Sequence, residues 1–215
     1  MMDATGFVLA GGRSTRMGED KALVRFAGLP LVEGALGILR EAGLDARIAG
    51  GASGLAEFAP LVEDAQPGLG PLGGICAALA STSARLAVFL PVDLPLLPAA
   101  LVAYMLDHAR ITGRAVTVPS VNGFVQTFPA VVNRAALATL ESELAAGRGG
   151  CFSGFQAAAA RLGQPVTVLP VEMLLQSGHL AHAEGVPAAR WFLNVNTPDE
   201  LSRAHRYGGQ SYRVS

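Results

Sequence analysis

An apolar run, Gly6 to Ala10, breaks into paired glycines and then into basic residues, and this feature most limits what the chain can fold into. The segment reads Leu9-Ala10-Gly11-Gly12-Arg13-Ser14-Thr15-Arg16-Met17-Gly18-Glu19-Asp20-Lys21. Gly11 and Gly12 carry no Cβ, so their backbone N–H groups can close on phosphate oxygens that a side chain would hold away. Arg13, Arg16 and Lys21 bring positive charge to the same loop. Arginine grips a phosphate bidentately and lysine acts as a point charge. The segment reads as a strand that opens into a site for a nucleoside triphosphate. It is not a P-loop, because Glu19 follows Gly18 and the spacing differs. Nor is it a dinucleotide fingerprint, because Gly11, Gly12 and Gly18 do not fit Gly-x-Gly-x-x-Gly. Taken alone, the same residues read equally well as a solvated basic turn, since glycine often does no more than mark one.

Beyond this loop, apolar runs alternate with helical patterns. The pattern predicts strands at Thr5–Leu9, Ala46–Ala49, Leu61–Glu63 and Leu86–Leu90. Helices are predicted at Leu31–Ala42, Ile75–Ser81 and Pro98–Gly113, the last with proline near its start and glycine at its end. Further strands are expected at Ala115–Pro119, Phe128–Val132, Val166–Leu169 and Trp191–Leu193. Helices are expected at Arg134–Ala146, around Gly154–Leu162 and from Pro198, with a loop or insertion over Gln176–Ala189. Fully apolar strands alternating with helices mean a mostly parallel sheet covered on both faces, an α/β fold in three layers. The 215 residues suit a single domain.

Composition narrows the function. A net charge of −1 offers no global basic field for nucleic acid, and 51% hydrophobic with 15% charged residues describes a core-rich globular chain. Cys76 and Cys151 are far apart without ligand spacing, which fits core thiols in a reducing compartment. The most apolar stretch, Leu86 to Leu106, contains Asp93, Pro91, Pro95 and Pro98, whereas a membrane span needs about 20 uninterrupted residues. The start of the chain has no basic region ahead of its first strand, so the expected location is the cytoplasm.

In open α/β sheets, ligands sit beyond the carboxyl ends of the strands. Asp93 follows the apolar strand there, within Pro91-Val92-Asp93-Leu94-Pro95. A carboxylate in that position suits Mg²⁺, which takes one or two carboxylates and fills its shell with waters and phosphates. A turn aspartate, or an N-cap for the helix from Pro98, accounts for it as well. Asp64 ends another short strand, and Gly68-Leu69-Gly70-Pro71-Leu72-Gly73-Gly74-Ile75 then opens a helix whose free N–H groups favour anions. His179 and His182, in a polar loop without a third ligand, read as solvated. His108 and His205 read as helix-surface residues, and Trp191 as core.

Four segments occur in order: the Leu9–Lys21 loop, Gly70-Pro71-Leu72-x-Gly74-Ile75, Pro91-x-Asp93-x-Pro95 and Asn194-Val195-Asn196-Thr197-Pro198-Asp199-Glu200-Leu201. From about Gly6 to His205 the chain resembles the molybdenum cofactor guanylyltransferases (MobA-type), within the Rossmann-like nucleotidyltransferase fold. That resemblance implies a magnesium-dependent transfer of GMP from GTP to molybdenum-bound molybdopterin, with release of pyrophosphate. By position, Leu9, Ala10, Gly11 and Gly12 would meet guanine and ribose, and Lys21 the triphosphate with added charge from Arg16. Asp64 would help to hold the nucleotide, and Asp93 would bind both GTP and Mg²⁺. Asn194 and Asn196 would fall on the pterin side, and Gln126–Arg134 would border the acceptor pocket, so the single domain would have a nucleotide-binding half at about 5–113 and an acceptor-binding half at about 114–207. Molybdoenzyme-maturation proteins are candidate partners.

The chain departs from the family at Ala49-Gly50-Gly51, where an asparagine is common, and around Gly147–Gly150 and Gln176–Ala189. Two other readings stay open: a cytidylyltransferase on the same acceptor, and a nucleotide-binding module without catalysis.

Overall fold

Strand β1 (Ala4–Leu9) is buried along its whole length, as a strand covered by helices on both faces must be. The computed structural model describes residues 3–11, 20–63 and 69–208. After β1 come a small hairpin, β2 (Arg25–Phe26) and β3 (Leu29–Pro30), then α1 (Leu31–Glu41), β4 (Asp45–Ala49) and β5 (Leu61–Val62). The middle of the chain forms α2 (Gly70–Ser81), β6 (Leu86–Pro91), α3 (Ala99–Thr112), β7 (Val116–Val121), β8 (Phe124–Val125) and β9 (Ala130–Asn133). The rest forms α4 (Leu137–Ala145), α5 (Cys151–Arg161), β10 (Thr167–Pro170), α6 (Val171–Gln176), α7 (Ala188–Trp191) and α8 (Pro198–His205).

The main sheet runs β10-β7-β9-β6-β1-β4-β5, with β8 paired to β7. One core layer joins residues of α1, α3, α6 and α8 to one face of the sheet, and the other joins α2, α4 and α5 to the opposite face. This is the expected three-layer α/β architecture. Helix α1 shows how the pattern works locally. Leu31, Val32, Ala35, Leu36, Ile38 and Leu39 line its buried face, with Glu33 in the first turn and Arg40 in the last to complement the dipole. Helix α3 stops where expected, at Gly113 in the left-handed region (φ 64°), whose N–H returns to Ala109 O. Among the described residues no helix is long and apolar enough to cross a membrane.

The structure corrects the sequence reading in several places. Strand β9 runs antiparallel to both β6 and β7. Only residues 122–129 separate β7 from β9, too few for a crossover helix, so the chain turns back on itself. The turn is made by Asn122 (φ 51°) and Gly123 (φ 78°), the two positive-φ positions of a type I′ hairpin. The expected strand Trp191–Leu193 is absent. Trp191 instead ends the one-turn helix α7, is fully buried, and donates from Nε1 to Val186 O at 2.7 Å. Its apolar neighbours therefore serve the core rather than the sheet. Helix α2 starts five residues earlier than expected, at Gly70, and the expected Arg134–Ala146 helix is a 3₁₀ turn (Arg134–Ala136) followed by α4. Helix α6 occupies a stretch where the sequence offered no helical signal.

Two of the histidines are less exposed than expected. His182 is half-buried, tilted against Trp191 with centroids 5.9 Å apart, with Nε2 3.3 Å from Leu96 O. His108 is half-buried with Nδ1 enclosed. His179 and His205 are exposed as expected, with the His205 ring 4.9 Å from that of Phe26.

Candidate active site

Strand order reverses at β1. On one side the chain steps outward to β4 and β5; on the other, β6 lies in parallel register, with Leu9 opposite Pro91. The crevice beyond the carboxyl ends of β1 and β6 is therefore the switch point where such sheets bind ligands. Val92 N–H donates to Leu9 O at 3.2 Å, which prolongs the pairing by one residue and ties the backbone before Asp93 to the glycine loop.

Three segments converge there. Lys21 opens a short 3₁₀ turn (Lys21–Leu23), which Asp20 caps by accepting from Ala22 N–H at 3.0 Å. Lys21 Nζ donates to Asp93 Oδ2 at 2.6 Å and to Asn196 Oδ1 at 2.5 Å. The side chains of Lys21 and Asp93 are 14% and 18% exposed, so the ion pair is largely withdrawn from water. Asn196 is in turn fixed from behind. Its N–H donates to Glu200 Oε2 at 2.7 Å, Glu200 N–H donates to Thr197 Oγ1, and Val195 N–H donates to Asp93 O at 3.0 Å. Thr197-Pro198-Asp199-Glu200 is a capping-box sequence with proline at the first helical position. Its glutamate reaches one residue further back than the box requires, to hold Asn196. The part played by Glu200 was missed from sequence, although the box itself was its signal.

Of the other expected residues, Leu9 and Ala10 are buried at the end of β1, with Ala10 N–H on Ala49 O at 3.1 Å, while Gly11 is exposed. Asn194 is exposed two residues ahead of Asn196. Gly12, Arg16 and Asp64 lie outside the described residues. At the Gly50-Gly51 departure both residues have positive φ, 72° and 97°, a backbone that glycine adopts far more readily than a residue with a side chain. A Cβ on Gly51 would also meet Leu55 Cδ1 at 2.7 Å and Ala10 Cβ at 3.3 Å, so both neighbours would have to shift.

Asp93 Oδ1 is buried and has no hydrogen-bond partner among the described residues. A buried carboxylate oxygen left idle is costly, and such an oxygen is the hard donor that a divalent cation seeks. Asp93 therefore fits Mg²⁺ held through one carboxylate and the phosphates of a substrate. Away from the site, burial pushes the thiols of Cys76 and Cys151 up to about 11, which keeps both neutral and fits core thiols.

Comparison with known proteins agrees with this geometry. Residues 6–188 match the family model described as a MobA-like NTP transferase domain. The chain is 30% identical over 206 residues to a probable molybdenum cofactor guanylyltransferase of Pelotomaculum thermopropionicum, covering 95% of this chain and 93% of that one. It is 47% identical over 107 residues to a molybdenum cofactor guanylyltransferase of Xanthomonas euvesicatoria, a match that spans 49% of this chain and about half (55%) of that relative. A molybdopterin-guanine dinucleotide biosynthesis protein A from Archaeoglobus fulgidus shares the fold, with a TM-score of 0.73 at 22% identity over 94% of this chain and 97% of the other. A 2-C-methyl-D-erythritol 4-phosphate cytidylyltransferase from Thermus thermophilus shares it too, with a TM-score of 0.65 at 18% identity, covering 95% of this chain and 98% of that one. The chain belongs to the MobA-like NTP transferase family, the nucleotidyltransferases of molybdenum cofactor biosynthesis.

Proposed function

We propose that this enzyme transfers GMP from GTP to molybdenum-bound molybdopterin and releases pyrophosphate. The observation that carries the proposal is the cluster of Lys21, Asp93 and Asn196 at the β1–β6 switch point, with Asp93 Oδ1 buried and without a hydrogen-bond partner among the described residues. An ammonium has three donors, and two of those on Lys21 are taken by Asp93 and Asn196. Among the described residues the third has no acceptor and can serve a phosphate oxygen, so the two acceptors hold the lysine aimed while leaving one bond for substrate. Because Asn196 comes from the acceptor half, the same lysine links the triphosphate to the segment that meets the acceptor.

The reaction needs positioning and charge neutralisation rather than a covalent enzyme intermediate. The acceptor's terminal phosphate attacks the α-phosphorus of GTP in line. One P–O bond forms there as the bond to the β-phosphate oxygen breaks, and pyrophosphate leaves with that electron pair. A phosphate monoester is already ionised near neutral pH, so no general base is required. Asp93 would hold Mg²⁺, whose charge would offset the negative charge of the reacting phosphates. Lys21 and Arg16 stabilise the departing pyrophosphate, assisted by backbone N–H groups at Gly11 and Gly12. Leu9 and Ala10 lie against guanine and ribose, Asp64 helps to hold the nucleotide, and Asn194 with Asn196 faces the pterin.

The test is pyrophosphate release with Mg²⁺ and molybdenum-loaded molybdopterin, with GTP, CTP and ATP compared side by side. Release with GTP alone is expected. A preference for CTP would reverse the base assignment, and no release with any nucleotide would refute the transfer. Asp93→Ala should abolish turnover while the protein stays folded; retained turnover would remove the metal-binding role.

A further inference from the structure

Phe124 is the most exposed aromatic side chain among the described residues, at 73%, and nothing in the packing of the fold requires it. Its backbone, by contrast, is held firmly. The type I′ turn at Asn122-Gly123 sets the register of β8 on β7, with Val121 opposite Phe124 and Ser120 opposite Val125. Asn122 N–H donates to Glu172 Oε1 on α6 at 2.5 Å, Gln126 N–H donates to Pro119 O at 2.9 Å, and Gln126 Nε2 donates to Phe124 O at 3.1 Å. A rigid hairpin therefore presents a large apolar ring to solvent.

The sheet register places the backbone of Phe124 level with the end of β6, where the site lies. One edge of β7 is taken by β10 along Thr117–Ser120, so β8 must lie on the other edge, the one that β9 occupies lower down. That edge faces β6. Val88, Val131 and Thr117 stand level across β6, β9 and β7. Four residues further along the parallel strands, Val92 and Val121 come level, and Phe124 pairs with Val121. Phe124 thus stands at the height of the residue that precedes Asp93. It is offset by one strand spacing or two, on the order of 5–10 Å between backbones. It also shares the sheet face of Val121, the face covered by α3 and α6, on which Trp191 and Val195 pack ahead of Asn196.

We propose that Phe124 is a specificity-determining contact of the acceptor, stacking on its flat heteroaromatic ring system while the acceptor's phosphate reaches the α-phosphorus at Asp93. The proposal rests on the acceptor being a phosphate-bearing pterin, the reading given under the proposed function. At this height Phe124 stands on the β9 side of β6, whereas Ala10 and Gly51, beside which the proposed nucleotide would lie, stand on the β1 side. Stacking on an aromatic ring suits a bicyclic acceptor because it needs no particular hydrogen-bond pattern, only a flat π-face.

The experiment compares wild type, Phe124→Ala and Phe124→Trp in steady-state turnover, varying molybdenum-loaded molybdopterin and GTP separately. Phe124→Ala should raise the acceptor KM about tenfold, within the roughly 5- to 150-fold range for loss of a stacking partner, and leave the GTP KM and Tm unchanged. Phe124→Trp should restore the acceptor KM and add a fluorescence that molybdopterin quenches in the absence of nucleotide. An unchanged acceptor KM in Phe124→Ala, with wild type active, overturns this inference alone. A change of oligomeric state in Phe124→Ala with an unchanged KM also overturns it, by assigning the ring to self-association. No turnover by wild type overturns the inference together with the reading beneath it.

Discussion

Removing the charges of Lys21 and Asp93 singly and together tests whether the pair holds the site together before any substrate arrives. At 2.6 Å the two unit charges attract by about 6 kcal/mol at an effective dielectric of 20 and by about 1.6 kcal/mol in bulk water. The side chains are 14% and 18% exposed, so the pair lies nearer the first regime, but desolvation removes several kcal/mol per ion. The net coupling expected from a double-mutant cycle of Lys21→Met and Asp93→Asn is therefore about 2 kcal/mol. Each single variant leaves an uncompensated charge, or an idle partner, beside Asn196, so the double variant should lose less stability than the two singles summed. The assay is urea unfolding without metal or nucleotide, followed by the fluorescence of Trp191, the single tryptophan of the chain and fully buried. The coupling should persist in about 1 M salt, where exposed pairs are screened within a few ångströms. A coupling under about 0.5 kcal/mol, or one abolished by salt, would refute the reasoning and make this an ordinary surface bridge.

Local geometry and burial supply two more tests. Gly51→Ala should cost about 1–3 kcal/mol and raise the KM for GTP, because the left-handed backbone and the 2.7 Å approach to Leu55 Cδ1 both oppose a methyl group. Gly54→Ala is the control, since a methyl group there would meet nothing within 4 Å and the backbone has no positive φ. It should change stability by at most about 0.5 kcal/mol; equal effects would sink the steric argument. The buried Cys76 thiol ionises at about 11 in the folded protein against 9.0 in the open chain, so the folded state binds the proton more tightly. Its contribution is present in full below pH 9 and is lost as pH rises toward 11, by about 2 kcal/mol. The difference in unfolding free energy between wild type and Cys76→Ala should shrink over that window, and a flat difference would refute the assignment.

The parts of the site that were legible in sequence were those written in consecutive residues. Apolar strands β1 and β6 each end in a residue type that a core does not want, glycine after one and aspartate after the other. That placement is enough to put both at the carboxyl edge of a parallel sheet. Asn122-Gly123 is a hairpin signal between the expected strands Ala115–Pro119 and Phe128–Val132, but those strands carry no direction of their own, so the antiparallel return of β9 emerged only from the structure. Trp191–Leu193 failed for another reason. A short apolar run has no period of its own, and burial in the core satisfies it as well as a sheet would.

Sequence alone determined the layered α/β architecture, the glycine loop and the acidic strand end, because periodicity and backbone permissiveness are local properties. Tertiary structure alone decided that Lys21 meets Asp93, 72 residues away, and Asn196, 175 residues away, with Glu200 bracing the asparagine from behind. It also brought Phe124 level with the active site. Contacts between distant segments depend on strand order and register, which follow from how whole elements pack and which no window of consecutive residues records.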